Sequence, residues 1–275
     1  VNLLVTGRGT SGSWAIRGEQ LGRALSATVQ REASKVKGYD LAIVVKRGPD
    51  DLLHRLHTAG VPIVWDIVDS WPQPAGNEWD DATCKQWLAG QVERIKPVGI
   101  VAATKAMAAD CKGFGVPVIT IPHHARPHQQ INPIRERVQR IGYEGSVKYL
   151  GAWQSWFEVE CASRKWSFVI NPPHLADLDI VVAVRESTGY AARSWKSNVK
   201  LANAQGSGTP CILNREAGYI ETATGGELFA DTREDMVRAL DRLTDHETRK
   251  TAAAGLWPPT LEIVAADYRE WLSKF

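Results

Sequence analysis

Short, nearly continuous apolar runs recur along the first half of the chain: NLLVTG (residues 2–7), DLAIVVK (40–46), VPIVWDIVD (61–69), GIVAAT (99–104) and VPVITIPHH (116–124). Unbroken Val, Ile and Leu without polar alternation suit parallel strands covered on both faces. Between them, RGEQLGRALSATV (17–29), DDLLHRLHTAG (50–60), DATCKQWLAGQVERIK (81–96) and KAMAADCKGFG (105–115) repeat apolar residues at helical spacing. The pattern predicts a β-α-β series that closes near Pro122. A polar segment with Pro127 and Pro133 follows, and then the alternation resumes. SVKYLGAW (146–153), KWSFVINP (165–172), LDIVVAV (178–184), PCILN (210–214) and GELFA (226–230) read as strands, with helices over 197–208 and 232–245. The last apolar periodicity, 258–275, reads as a closing helix.

Two series of similar size predict an α/β protein of two Rossmann-like parallel-sheet domains facing each other across a cleft. The expected division is residues 1–125, a linker 126–145, a second domain 146–258, and a closing helix 259–275 that returns to the first domain. At 275 residues, 44% hydrophobic and 23% charged, the chain suits an ordinary globular protein. No apolar run approaches the ~20 residues that cross a bilayer, and no signal peptide is recognised, so the expectation is a cytoplasmic protein without a membrane partner. Cys84, Cys111, Cys161 and Cys211 are scattered without C-x-x-C pairing, which argues against a zinc site or a disulfide framework. The net charge of +2 conceals an asymmetry. Residues 126–200 hold 11 Lys and Arg against 7 Asp and Glu, and residues 201–275 hold 8 against 12. The basic middle third could face a phosphate-bearing ligand or be a solvated surface.

Chemistry concentrates at the expected carboxyl ends of the strands, where such folds bind ligands. LLVTGRGTSGSWAIRG (3–18) runs a strand into Gly7, Gly9 and Gly12, the spacing of G-x-G-x-x-G. The second strand, however, ends in Lys46 and Arg47 instead of the acidic residue that holds a dinucleotide ribose, and no G-K-[ST] follows for a P-loop. A nicotinamide-dependent oxidoreductase remains an alternative, because a cationic strand tip suits a 2′-phosphate.

The run RSWKSNVKLANAQGSGTPCILNREAGYIE, Arg193 to Glu221, resembles the donor-binding segment of GT-B fold glycosyltransferases. Asn203, Ala204 and Gly208-Thr209-Pro210 carry its turn, and Gly218-Tyr219-Ile220-Glu221 its following loop. The resemblance implies a metal-independent, nucleotide-sugar-dependent glycosyltransferase whose co-substrate is a nucleotide-diphosphate sugar, expected to be a UDP-sugar such as UDP-glucose. The residues make physical sense of that reading, since a departing nucleoside diphosphate gains charge that must be met where it develops. Lys196, Ser197 and Asn198 at a helix start, Lys200 one turn on, and Arg185 and Arg193 are candidate phosphate contacts. Glu221 and Glu186 are candidates for the ribose diol. By the resemblance, Gly9, Thr10, Ser11 and Gly12 line the cleft, and Gly218 and Tyr219 belong to the donor loop. The usual second carboxylate of the family is replaced by Asn203, which leaves the stereochemical course open.

For the acceptor hydroxyl, Asp66 and Asp69 stand at the end of the third strand, able to take a proton or orient the hydroxyl, although Asp69 could equally cap the next turn. Trp65 and Trp71 beside them could stack on a ring. His123 joins them as a candidate catalytic residue at the domain junction, with Arg17, Trp71 and His124 as acceptor contacts. No third ligand is spaced to make the His pair a metal site. The compact chain resembles phage-type enzymes that glycosylate hydroxymethylated pyrimidines in DNA. The resemblance implies 5-hydroxymethylcytosine in double-stranded DNA as acceptor, modified by a monomer in the cytoplasm of a host. Arg126, Arg135, Arg137, Arg140, Lys148, Arg164 and Lys165, with Trp153, Trp156 and Trp166, would form the basic, aromatic rim. A glycan, protein or small-molecule acceptor stays open, as does a protein that only binds its ligand.

Overall fold

The computed structural model describes residues 1–9, 12–69, 79–186 and 189–275. Six parallel strands form the first sheet: β1 (Leu3–Thr6), β2 (Thr28–Val29), β3 (Leu41–Val45), β4 (Ile63–Asp66), β5 (Gly99–Ala102) and β6 (Val118–Thr120), in the order β2-β1-β3-β4-β5-β6. Five form the second: β7 (Arg140–Tyr143), β8 (Ser167–Ile170), β9 (Ile180–Ala183), β10 (Cys211–Leu213) and β11 (Leu228–Phe229), in the order β11-β10-β9-β7-β8. Both sheets share one winding, with the chain reversing direction beside β1 and again beside β7. Each sheet therefore has a switch point, the crevice where doubly wound folds bind ligands.

The connections are a π-helical segment Trp14–Gln20 leading into α1 (Leu21–Ala24), then α2 (Asp50–Thr58), α3 (Asp81–Ile95) and α4 (Lys105–Cys111) in the first domain. The second has α5 (Ala152–Ser163), α6 (Tyr190–Ser194), α7 (Val199–Ser207), α8 (Ala217–Ile220), α9 (Arg233–Arg242) and α10 (His246–Ala254). The last helix, α11 (Leu261–Leu272), crosses back to the first domain as expected. Its Val264, Ala265, Tyr268 and Trp271 are buried in one apolar cluster with Val5, Leu21, Ile43 and Val64.

Local chemistry explains the element ends. The Asp80 carboxylate accepts from Thr83 N at 2.8 Å to start α3, the Thr104 hydroxyl from Met107 N at 3.0 Å to start α4, and Thr232 and Asp235 form a reciprocal capping box on α9. In the middle of the second sheet, a Cβ on Gly142 would lie 2.5 Å from the Val169 carbonyl oxygen, so only glycine fits there.

Two expectations are corrected. The first strand of the second sheet is β7, inside the segment 126–145 read as linker, because Arg-Ile-Gly-Tyr carries too short an apolar run to stand out. The stretch 146–153 is a turn leading into α5. Its Val147, Leu150, Trp153 and Phe157 follow helical spacing, and Phe157 is buried on that face. The edge strand β2 also escaped detection, at the end of the segment read as a helix over 17–29.

Candidate active site

The strand ends of the two sheets converge. At the tip of β3, Arg47 N donates to the Val45 carbonyl at 2.8 Å, closing a three-residue turn around Lys46 at φ +61°. At the tip of β4 the same device recurs: Asp69 N donates to the Ile67 carbonyl at 2.9 Å around Val68 at φ +72°. Turns of this kind are rare and strained, especially for a β-branched residue. Together they aim two side chains at each other, and Lys46 Nζ lies 2.8 Å from Asp69 Oδ1. Lys46 Nζ also donates to the Ser13 hydroxyl at 3.3 Å.

The second domain supplies the rest. Arg185, after β9, pairs with Glu216, after β10, at 2.8 Å, both almost fully buried. Arg185 and Lys196 lie over the Tyr149 ring, each 5.5 Å from its centroid. Lys200 Nζ donates to the Tyr143 hydroxyl at 2.5 Å. Burial works to raise the Asp69 carboxyl, but Lys196 and Lys46 outweigh it and hold the group ionised well below the usual carboxylate range. Burial, then the neighbouring Arg185, pushes the Lys200 ammonium well below its ordinary value, and Lys196 is lowered by burial and by Arg185 and Lys46. Burial raises Glu216 against the pull of Arg185, Lys200 and Lys196.

Lys46, Lys196, Lys200 and Arg185 thus crowd around Asp69 and Glu216. Adding Glu144, which faces Lys200 but is already paired with Arg126, leaves the excess positive. An anion entering here would relieve both the repulsion and the burial cost of the cations. Beside the cluster, a pocket of ≈ 440 Å³ is lined by Trp153, Arg185, Glu186, Arg193, Asn214 and Glu216, among others.

The site residues expected from sequence divide sharply. Asp69, Arg185, Lys196 and Lys200 meet in this cluster. His123 is 2% exposed beside it, held neutral by burial and by the charge of Arg17, and its Nδ1 has no hydrogen-bond partner among the described residues. Gly9, at φ +70°, lies with Ser13 in a second pocket, and Gly12 is exposed with open space around it. Tyr219 is fully buried beside Arg185 and Glu216, and burial raises its hydroxyl far above the ordinary range. Ser197 is buried just before α7. Thr10, Ser11 and Trp71 lie outside the described residues.

Other expected residues have structural work instead. Asp66 is 1% exposed, accepts from the Tyr268 hydroxyl at 2.6 Å and from Val68 N at 3.1 Å, and faces Arg17 at 3.8 Å. Arg17 is fully buried, donating to Tyr268 at 2.9 Å and to the Ile121 carbonyl at 2.6 Å. Both residues anchor α11 and are turned away from solvent, because alternate residues of β4 point to opposite faces. Trp65 is likewise in the core, its indole N–H donating to the Lys46 carbonyl at 3.1 Å. His124 is 1% exposed against Gln20, at 2.9 Å.

Asn198 grips the His123 backbone, accepting from its N–H at 2.8 Å and donating to its carbonyl at 3.1 Å. Glu221 reaches across the domains to accept from Lys105 N at 2.7 Å, and Glu186 accepts from Ala152 N at 3.1 Å at the start of α5. Each of these carboxylates gives one oxygen to the start of a helix, and Glu186 also lines the ≈ 440 Å³ pocket. Glu216, which the sequence reading passed over, is 3% exposed, and its Oε2 has no hydrogen-bond partner among the described residues. Its signal was its position three residues beyond the buried strand β10. Gly218 serves packing, since a Cβ there would strike the Lys196 carbonyl.

The expected basic rim is also dispersed. Arg140, Lys165 and Trp166 flank the amino ends of β7 and β8, opposite the cleft, and Arg135 pairs there with Asp179, just before β9. Arg164 pairs with Glu160 at 2.7 Å and Asp241 at 2.6 Å. Trp153 and Trp156 pack against the second core.

Among the described residues, no group of three or more His, Cys, Asp or Glu is placed to hold a metal ion, and no helix is long and apolar enough to cross a membrane. No protein-family model and no curated protein matches the sequence. Solved structures do match in fold. HepE of Anabaena, determined with UDP and glucose, aligns over 100% of both chains with a TM-score of 0.67 at 11% identity. Sucrose-phosphate synthase from Thermosynechococcus elongatus aligns over 100% of both at 0.64 and 10% identity. WaaB, a lipopolysaccharide outer core galactosyltransferase in its apo form, does so at 0.62 and 9%. The chain has the GT-B fold, the two-domain architecture of these glycosyltransferases.

Proposed function

We propose that the protein is a glycosyltransferase that moves a sugar from a UDP-sugar to an acceptor hydroxyl. The observation that carries this reading is the cluster of Lys46, Lys196, Lys200 and Arg185 around Asp69 and Glu216, between facing strand ends and a helix start of a GT-B fold. Lys196, Lys200 and Arg185 take the diphosphate and stabilise the charge that builds on it as the glycosidic bond breaks. Trp153 and Glu216 receive the nucleoside, Glu216 offering a carboxylate oxygen to the ribose diol in place of Glu221 and Glu186. Ser197, Gly218 and Tyr219 shape the donor side by packing. Asp69 orients the acceptor hydroxyl. A carboxylate held so firmly ionised is a weak base, so Asp69 positions the hydroxyl, and the neutral ring of His123 beside the cluster is the candidate proton acceptor. Gly9 and Gly12 border the acceptor side. HepE, determined with UDP and glucose and again with UDP-glucose, supports the choice of nucleotide.

For the acceptor, 5-hydroxymethylcytosine in DNA is the specific candidate that the sequence offers. Of the expected rim, Arg126, Lys148 and Trp153 lie near the site and support it, with Arg8 and Arg47 of the first domain beside them, whereas Arg135, Arg140, Arg164, Lys165 and Trp166 sit elsewhere.

Thermal-shift titration with UDP, GDP, NADH and NADPH tests the donor. Stabilisation by UDP, abolished in Lys196→Ala, is expected, and stabilisation by a nicotinamide nucleotide alone overturns the reading. Incubation with UDP-glucose and hydroxymethylcytosine-containing duplex DNA, followed by mass analysis of the nucleosides, decides that acceptor: a hexose mass gain is required.

A further inference from the structure

A second cationic pocket opens on the first domain at the β1–β3 switch point. Its ≈ 120 Å³ is lined by Arg8, Gly9, Ser13, Trp14, Lys46 and Arg47, together with Val45. Three of these residues are cations, and none is acidic. The pocket shares no lining residue with the nucleoside pocket across the cleft, and Arg185, Lys196 and Lys200 do not line it.

Its walls are held in place. Arg8 N donates to the Arg47 carbonyl at 2.9 Å, so the two arginine-bearing turns are tied together. A Cβ on Gly7, at φ +150°, would lie 2.6 Å from the Val45 carbonyl oxygen, so this close approach of β1 and β3 requires glycine. Arg31, over the Trp14 ring at 5.9 Å, paired with Glu19 at 3.0 Å and packed against Gly9, steadies the aromatic wall. The Arg8 side chain is exposed and has no ion pair or hydrogen bond among the described residues, while Lys46 is drawn toward Asp69.

We infer that this pocket binds a phosphate monoester carried by a small acceptor molecule, with Arg8 and Arg47 clamping the dianion and Lys46 bridging it to the reacting hydroxyl beside Asp69. The inference rests on the glycosyltransferase reading and adds the acceptor's chemical class. A volume of ≈ 120 Å³ accommodates a phosphate group and little else. Guanidinium forks match two phosphate oxygens at a time, which a monoester presents freely. The Trp14 ring offers an apolar face for the carbon skeleton next to the phosphate.

Calorimetric titration of the UDP-loaded protein with glucose 6-phosphate, fructose 6-phosphate, the parent hexoses, inorganic phosphate and a short duplex oligonucleotide tests it. A hexose phosphate is expected to bind, its parent hexose to bind far more weakly, and Arg8→Ala to weaken the phosphate ester about tenfold or more. Arg8→Lys should recover part of that loss, and neither exchange at this exposed residue should alter the unfolding midpoint. UDP affinity, measured separately, should be the same in Arg8→Ala and wild type. Equal binding of hexose and hexose phosphate overturns the inference, as does an Arg8→Ala variant that binds the ester normally. A parallel loss of UDP affinity overturns it too, by giving the pocket to the donor diphosphate. Preference for the oligonucleotide overturns the monoester in favour of a nucleic-acid backbone. Failure of UDP to bind at all is a different result, and it removes the glycosyltransferase reading itself.

Discussion

Asp69 and its neighbours show how charge balance decides a side chain's use. With Lys46 and Lys196 on either side, its carboxylate offsets part of a positive field that a diphosphate would otherwise meet in full. Asp69→Asn should therefore lower turnover by roughly 10–100-fold, by misplacing the acceptor and freeing Lys46, while UDP binds as tightly or more tightly in calorimetry. Lys196→Ala has the opposite signature, with UDP affinity and turnover falling together, UDP by about tenfold for one charge-assisted phosphate contact. His124 gives a pH-dependent case. Burial and the nearby Arg17 lower its pKa to about 4. The unfolded chain takes up a proton near pH 6.5 that the folded protein refuses until about pH 4. The stability from this group is thus complete above pH 6.5 and shrinks as pH falls, by at most ~1.4 kcal/mol per pH unit. Unfolding midpoints of wild type and His124→Asn, measured at pH 7.5 and pH 5, should differ less at the lower pH. A constant difference would assign His124 a purely steric role.

At the level of elements, α5 depends on one glycine. Gly151 has φ +52° and ψ −130°, and a Cβ there would overlap the Glu186 carboxylate that accepts from Ala152 N. Gly151→Ala should cost about 2 kcal/mol, from backbone strain and a displaced cap together. Glu186→Ala should cost only about 1 kcal/mol, the cap alone, and denaturant titrations would separate the two. The same pair shows what a sequence reveals and what it hides. The long parallel strands were legible because burial on both faces leaves unbroken apolar runs, and α11 because its periodicity is strong. Asp69 and Arg185 were legible as charged residues at strand ends, where such sheets bind ligands, and Lys196 as a cation at a helix start. Glu186 and Glu221 resembled ribose acceptors, but their carboxylates are used by helix starts distant in sequence, and no local pattern announces that. Glu216 stayed hidden because its burial arises only when α8 closes over the 196–198 backbone. Asp66 and Arg17 sit close to the cleft in sequence, yet strand alternation and a π-helical turn carry them inward to Tyr268.

The whole molecule is stapled across its cleft. Tyr190, Ala191 and Trp195, from the second half of the chain, pack into the core of the first sheet with Trp65 and Leu88. The Trp195 indole and the Tyr190 hydroxyl both donate to Asp110 at 2.8 Å, and the Thr104 hydroxyl donates to the Ser194 carbonyl at 2.7 Å. Asn198 holds both backbone groups of His123, and α11 locks Arg17 and Asp66 behind the first sheet. A domain pair joined this way should unfold as one unit, since the cores of the first domain are not complete without residues from the second half of the chain. Scanning calorimetry of the wild type should therefore give a single transition whose calorimetric and van't Hoff enthalpies agree. Asn198→Ala leaves a buried N–H and a buried carbonyl of His123 unpaired, at about 2–4 kcal/mol for the two groups. Trp195→Ala opens a cavity between Trp87 and Tyr190, at about 3–5 kcal/mol. If the staple couples the domains, either exchange splits the single transition in two or broadens it, with the less stable domain melting first. A variant that melts at a lower temperature but still in one sharp step would place the coupling in the α11 crossover instead.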